Sequence, residues 1–227
     1  MKNLGSLWRN LMKLNDHVYY YPEQEMLECN TYVFKDQRTL LIDAGPVENL
    51  STLARNLKTD GIDPETIDII ANTHLHMDHA QANQTFKGKF GSRIEIAPVQ
   101  KKFYDAGVRQ TALFFNMEPV DFKEDGLLDL TINLGAIEIQ VIETPGHSPD
   151  SICFYCPQFK TLICGDLVFQ YNIGRPDLPG GDFAQLKHSI EKISALDVHL
   201  LLPGHMNIID GKDRVKDNFD FLLNNIL

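Results

Sequence analysis

The sequence is short of cysteine and of positive charge, and it carries no long uninterrupted apolar run. Four cysteines in 227 residues, at positions 29, 153, 156 and 164, do not make the disulfide framework of a small secreted domain. A reducing, cytoplasmic setting is therefore expected. The deficit of cations, 21 Lys+Arg against 31 Asp+Glu for a formal charge of −10, removes the clustered positive surface that nucleic-acid binding needs. No nucleic-acid partner is expected. In the opening stretch Met1 to Leu14, Arg9, Asn10 and Lys13 interrupt the few apolar residues, so neither a signal h-region nor a membrane span is expected. Apolar residues are nonetheless 43% of the chain, enough to bury one sizeable core, and a single domain over residues 1–227 is expected.

Strand-like and helix-like segments mix along the whole chain. Residues His17–Tyr21, Cys29–Lys35 and Arg38–Ala44 are rich in β-formers, the first two joined by a turn at Pro22-Glu23-Gln24-Glu25. Val47, Leu50, Leu53, Ala54 and Leu57 then recur at helical spacing ahead of Gly61. A β-branched run, Ile67–Asn72, reads as a buried strand, followed by a helix from Ala80 and a strand at Ile94–Ile96. Further strands are expected at 127–132, 137–142, 151–155, 161–164 and 198–202. Asp182 and Gln185 have the form of a capping box opening a helix with Phe183, Leu186, Ile190, Ile193 and Leu196 on one face. A last helix carries Val215, Phe219, Leu222, Leu223 and Ile226. The pattern predicts an α/β fold in which two sheets face each other and helices cover the outer faces. Residues 99–125 read as one or two short helices. Phe103, Tyr104, Val108, Leu113, Phe114 and Phe115 are expected to pack on the core or against a second copy of the chain, with a lid or apolar pocket wall as the alternative.

One stretch concentrates chemistry. Thr73-His74-Leu75-His76-Met77-Asp78-His79 places four groups of metal-ligating type just past a buried strand. On an extended backbone, side chains two apart project the same way, so His74 and His76 can converge on one ion while the turn beyond re-aims Asp78 and His79. Imidazole and carboxylate suit zinc and comparable transition metals. A solitary histidine usually serves packing, but four such groups within six positions are hard to explain that way. Two later strands end alike, at Thr144-Pro145-Gly146-His147 and Leu202-Pro203-Gly204-His205, and between them an apolar strand ends in Gly165-Asp166. Each candidate ligand follows the C-terminal end of a strand.

The series His74, His76, Asp78, His79, His147, Asp166 and His205 resembles the full ligand set of the metallo-β-lactamase superfamily, over nearly the whole chain. The resemblance implies an αββα sandwich of two facing mixed β-sheets, helices on the outer faces and metals at one edge between the sheets. It further implies that His74, His76 and His147 hold one divalent ion, that Asp78, His79 and His205 hold a second, and that Asp166 bridges them. Zinc is the expected metal, with iron or manganese as alternatives. Gly174-Arg175-Pro176-Asp177 is similar to the Gly-Arg-x-Asp segment of the glyoxalase II-like branch, which includes thioester hydrolases and mononuclear iron persulfide dioxygenases. Pro176 stands where many relatives have threonine, and Gln81-Ala82 replaces paired glycines. Few residues follow His205 compared with enzymes carrying a helical glutathione-binding domain. These departures turn the expected substrate away from glutathione thioesters.

A metal-bound water has its pKa lowered toward about 7, and a second ion can clamp the other oxygens. Hydrolysis of an ester, thioester or lactone of a small metabolite by a bridging hydroxide is the leading expectation, with Asp78 taking the proton. A persulfide dioxygenase using His74, His147 and Asp166, a ribonuclease and a metal-binding protein without turnover are the rivals. Arg175 is a candidate for a substrate carboxylate or else an ion pair with Asp177, Tyr171 a candidate donor to the developing oxyanion or else an ordinary packed tyrosine, and Asp43 a candidate to hold one of the histidines. Cys153 and Cys156 match C-x-x-C, but positions three apart on a strand face opposite sides, so no shared site is expected. His17, His188 and His199 are assigned no role.

Overall fold

The computed structural model describes residues 13–25 and 27–227; the expectation for the opening segment falls, through residue 12, outside them. One six-stranded sheet has the order β1 (Val18–Tyr21), β2 (Thr31–Lys35), β3 (Thr39–Ile42), β4 (Ile69–Ala71), β5 (Arg93–Ile96) and β6 (Gly126–Leu127). Its first three strands are an antiparallel meander and the rest add in parallel. The second six-stranded sheet runs β14 (Ile209–Asp210), β13 (Leu200–Pro203), β10 (Thr161–Gly165), β9 (Ile152–Cys156), β8 (Glu138–Glu143) and β7 (Thr131–Asn133). There only β10 and β13 pair in parallel. A small hairpin joins β11 (Val168–Phe169) to β12 (Asn172–Ile173).

Alternation of apolar side chains along the strands builds three layers of core. Tyr20, Phe34, Ile42, Val141, Phe154 and Ile163 pack between the sheets. Tyr19, Val33, Leu41 and Ile70, one residue out of phase, meet Leu50, Leu53 and Leu57 of helix α1 (Leu50–Thr59). On the far side Tyr155, Leu162 and Leu201 meet Leu186, Ile190 and Ile193 of the helix Phe183–Ser194 and Phe219 and Leu222 of the helix Lys212–Asn225. Each fully buried side chain of this size contributes about 1.5–3 kcal/mol. The sandwich expected from the pattern is therefore the one observed. Cys153 faces the outer layer and Cys156 the inner one, so the C-x-x-C pair diverges as expected, and all four cysteines are buried and free.

Three expectations need correction. The single strand expected at 127–132 is two, because Leu127 belongs to the first sheet and Thr131–Asn133 to the second. Leu128 and Ile132 fill the space between sheets, whereas Leu130, where the chain passes across, is 78% exposed. Within 99–125 a helix Pro98–Lys102, a wide helical turn Asp105–Gln110 and a short helix Thr111–Phe114 form. Val108 is buried as expected, and Ala112 and Phe122 are buried beside the expected set, but Leu113, Phe114 and Phe115 are exposed. Phe183, expected on the buried face of its helix, is also exposed. The N-cap itself forms: Asp182 accepts a hydrogen bond from the Gln185 N–H at 2.9 Å, an interaction worth about 1 kcal/mol. The Asp182 N–H goes to the Gly146 carbonyl at 2.8 Å, so it does not need the glutamine side chain of a reciprocal box.

Candidate metal centre

The way the chain leaves four strands decides where the ligands point. After β4 the backbone bends at Thr73 and His74 and is extended again at His76, which caps the short helix Met77–Ala80; that turn brings the His79 ring to 4.1 Å from the His74 ring. After β8 the turn needs a glycine. Gly146 has φ +145°, and a Cβ there would run into the backbone of Leu186 at the start of the following helix. His147 is thereby delivered to the cluster. β10 ends at Gly165 with Asp166 next, and β13 ends at Pro203 with Gly204 and His205 next. At Gly204 a Cβ would strike Asp166 Oδ1 and come within 2.8 Å of His79 Cε1, so the absent side chain is itself part of the space around the centre.

All seven residues meet at this edge between the sheets. Three sets have ligand atoms within 4.8 Å of one another: His74, His76 and His147; His74, His79 and Asp166; and Asp78, His79 and His205. The Asp166 carboxylate reaches both sides, with Oδ1 3.4 Å from His79 Nε2 and Oδ2 3.6 Å from His147 Nε2 and 3.4 Å from His205 Nε2. Asp78 Oδ2 lies 3.2 Å from His205 Nε2. Asp78 and His205 form the open edge, with 27% and 22% of their side chains exposed, whereas the His79 side chain is fully buried.

The rings are held from behind. The Asp43 carboxylate accepts from the Thr73 N–H at 2.8 Å and the Thr73 hydroxyl at 2.8 Å, and its Oδ2 lies 3.0 Å from His79 Nδ1. The expectation that Asp43 holds a histidine agrees with this geometry; the left-handed φ of +60° at Asp43 aims it inward. His147 Nδ1 donates to the Arg175 carbonyl at 2.9 Å, and Thr73 Oγ1 lies 3.2 Å from His74 Nδ1.

Burial and charge split the histidines into two kinds. Burial pushes His74 well below the usual imidazole range, helped by His79 and His76; it takes His76 to about 3 and lowers His147. Burial thus favours the uncharged, ligating form of all three rings. Burial works against protonation of His79 and His205 too, but there the anionic groups win. Cys29, Asp78, Asp43 and Asp166 raise His79, and Asp166, Asp78 and Glu23 raise His205 to about 12. In turn His205 and His79 outweigh burial at Asp166 and hold it well below the carboxylate range.

His74 Nε2, His76 Nε2 and Asp166 Oδ1 are buried without a hydrogen-bond partner. Native proteins leave few buried polar atoms unpaired, and three of them converging in one cluster fit the donor set of metal ions.

Two residues of this neighbourhood carry no mark in the sequence. Glu23 Oε2 lies 2.8 Å from His205 Nδ1. Asp150, fully buried, accepts from the Leu75 N–H at 2.8 Å and so fixes the backbone between His74 and His76; burial pushes its carboxyl up to about 6. The candidates for substrate contact sit differently. The Arg175 guanidinium grips Asp177 through two hydrogen bonds, at 2.9 and 2.7 Å, and both side chains are more than half exposed. Tyr171, 51% exposed, packs its ring edge-on against Phe221, and its N–H donates to Asn218 Oδ1 at 2.7 Å. His17 Nδ1 is 2.9 Å from the Lys35 carbonyl and His199 Nε2 is 3.1 Å from Asp197.

A chain with this sandwich and this ligand cluster belongs to a known class. Residues 26–205 match the model of the metallo-beta-lactamase superfamily, and the protein is a member of that superfamily. It is 31% identical over 206 residues to a probable metallo-hydrolase of Methanocaldococcus jannaschii, covering 88% of this chain and 94% of that protein. It is 33% identical over 158 residues to the hydroxyacylglutathione hydrolase of Brucella ovis, covering 70% of this chain but only 52% of that enzyme. Among solved structures the BLEG-1 B3 metallo-beta-lactamase superposes with a TM-score of 0.76 at 27% identity, over 92% of this chain and 100% of that one. The class is that of metal-dependent hydrolases in general.

Proposed function

We propose that this protein is a dinuclear metal-dependent hydrolase acting on an ester, thioester or lactone of a small metabolite. The observation that carries the reading is the meeting of seven ligand-type side chains from both sheets, three of whose polar atoms are buried and unpartnered. Two divalent ions, zinc first, would be held by His74, His76 and His147 and by Asp78, His79 and His205, with Asp166 serving both. When bound, such a pair supplies Lewis acidity, an activated water and a clamp on the oxygens of the reacting group. The chain supplies the rest. Asp166 needs two anionic oxygens to face both halves, and it reaches His147 and His205 with one and His79 with the other. Asp78, at the open edge and held below the carboxylate range by His79 and His205 despite burial, is the base that accepts a proton from the attacking group. Arg175 at the rim is assigned to an anionic group of the substrate, which would compete with Asp177 for the guanidinium, and Tyr171 to its developing oxyanion.

Half of the hydroxyacylglutathione hydrolase lies beyond the matched region, so its substrate is not carried over. No helix among the described residues is long and apolar enough to cross a membrane, and the free cysteines support the cytoplasm as the setting. A mononuclear iron persulfide dioxygenase would use His74, His147 and Asp166 and leave His76, Asp78, His79 and His205 without an ion; the buried, unpartnered Nε2 of His76 speaks for His76 as a ligand and so against that reading. The test is metal content per chain by mass spectrometry on protein purified without added metal, followed by a panel of thioesters, esters and lactones. About two zinc or manganese ions per chain with turnover supports the proposal. About one iron per chain with oxygen consumption on a persulfide overturns it.

A further inference from the structure

His205 belongs to the second sheet, yet the groups that hold it come from the first. The loop after β1 crosses to the turn Pro203-Gly204-His205-Met206 and is tied there by Asn30, which is fully buried. Asn30 Nδ2 donates to the carbonyls of Pro203 at 3.0 Å and Met206 at 2.9 Å, its N–H donates to the Gly204 carbonyl at 2.7 Å, and its Oδ1 accepts from the Glu23 N–H at 3.0 Å. Tyr32 Oη adds a bond to the Pro203 carbonyl at 2.6 Å. Fixed in this way, the Glu23 carboxylate spans two partners. Oε1 accepts from the Met206 N–H at 2.9 Å, in a residue whose φ is +64°, and Oε2 faces His205 Nδ1 at 2.8 Å. A carboxylate only accepts, so the Nδ1 proton points at Glu23, and Nε2 on the other side of the ring faces Asp78 Oδ2 at 3.2 Å and Asp166 Oδ2 at 3.4 Å.

We propose that Glu23 is a positioning residue for His205 and sets how tightly the second half of the centre retains its ion, a role that rests on the two-ion reading above. A carboxylate behind a ligating imidazole fixes the tautomer and ring orientation and raises ligand basicity. Glu23 supplies across the sheets what Asp43 supplies to His79 within one. Unlike Asp43, its side chain is 30% exposed, so it can be altered without opening a hole in the core.

The test compares the metal-free wild-type chain with E23A and E23Q, titrated with zinc alone in competition with a chelator. Histidine ring ¹⁵N spectra of the metal-free proteins and circular dichroism are recorded alongside. E23A is expected to weaken one of the two ions by about 10–100-fold and leave the other unchanged, with E23Q in between. The His205 Nδ1 resonance, which reports the hydrogen bond to Glu23, should also shift in E23A. Two ions bound by E23A within about twofold of the wild type, or an unaltered His205 ring, would overturn the role. A wild-type chain that takes up a single ion defeats the two-ion reading instead, and the ring spectra then decide on Glu23 by themselves.

Discussion

The two halves of the metal centre are built on opposite principles. His74, His76 and His147 are lowered by burial, and the groups behind them are neutral: a hydroxyl for His74, a carbonyl for His147, and the His147 ring itself 3.1 Å from His76 Nδ1. His79 and His205 are backed by the carboxylates of Asp43 and Glu23 and share their half with Asp78. No carboxylate stands behind the first three rings, whereas the other half gathers the carboxylates of Asp43, Glu23 and Asp78 around two. The difference teaches that one ligand type can be tuned both ways within a few ångströms, by what stands behind the ring rather than by the ring.

The largest test of the contrast removes the residue that both halves share. Asp166→Ala should abolish high-affinity binding of at least one ion and lower turnover by well over about a hundredfold, read by metal content and steady-state rates. Full activity would remove the shared role. Asp43→Ala should act on one half and on the fold together. The Thr73 N–H and hydroxyl would be left buried and unpaired, at a combined cost of about 3 kcal/mol in denaturant unfolding, and alanine is poorly suited to the left-handed backbone. Asp43→Asn should keep most of the stability and still loosen one ion about 10–100-fold. If both ions loosened equally, the two halves would not be separable.

Asp150 sharpens the picture on the neutral side. Its folded-state carboxyl is raised to about 6 from 3.8, so between these values the folded chain binds more protons than the unfolded one. Stability should therefore fall as pH rises through that window, by about 3 kcal/mol in all. Asp150→Asn, which retains an acceptor for the Leu75 N–H, should flatten this slope in thermal melts recorded from pH 4 to 6. The smallest effect is expected at the rim. Arg175→Ala should leave metal content and melting temperature unchanged, because exposed ion pairs contribute little, and raise KM for an anionic substrate. An unchanged KM would make Arg175 and Asp177 a loop pin only.

The ligands were legible because the sequence marks them twice, by residue type and by position just beyond an apolar run that ends in a tight turn. The sandwich was legible for a similar reason, since two-residue alternation and helical spacing are both local signals. Glu23 was not legible. It stands in Pro22-Glu23-Gln24-Glu25 with nothing to set it apart from Glu25, and its partner His205 is 182 residues away. Asp150 is hidden likewise, its acceptor role depending on a backbone N–H in another strand's loop. The passage from sheet to sheet between Leu127 and Thr131 escaped because an apolar stretch does not say which sheet it joins. The exposed Leu113, Phe114 and Phe115 escaped because hydrophobicity favours burial without compelling it.

The crossing of sheets at this edge has a consequence for how the protein matures. His74 through His79 depend on the first sheet, whereas His147, Asp166 and His205 depend on the second, and their clamp at Glu23 and Asn30 reaches back to the loop after β1. Residues 74–79 supply four of the seven groups from one short stretch, but the other three, His147, Asp166 and His205, lie far along the chain, and loop closure must precede their contact. The full set of seven comes together only once the sandwich has docked, and an ion held by all of it would act as a latch that shifts the equilibrium toward the finished fold by mass action.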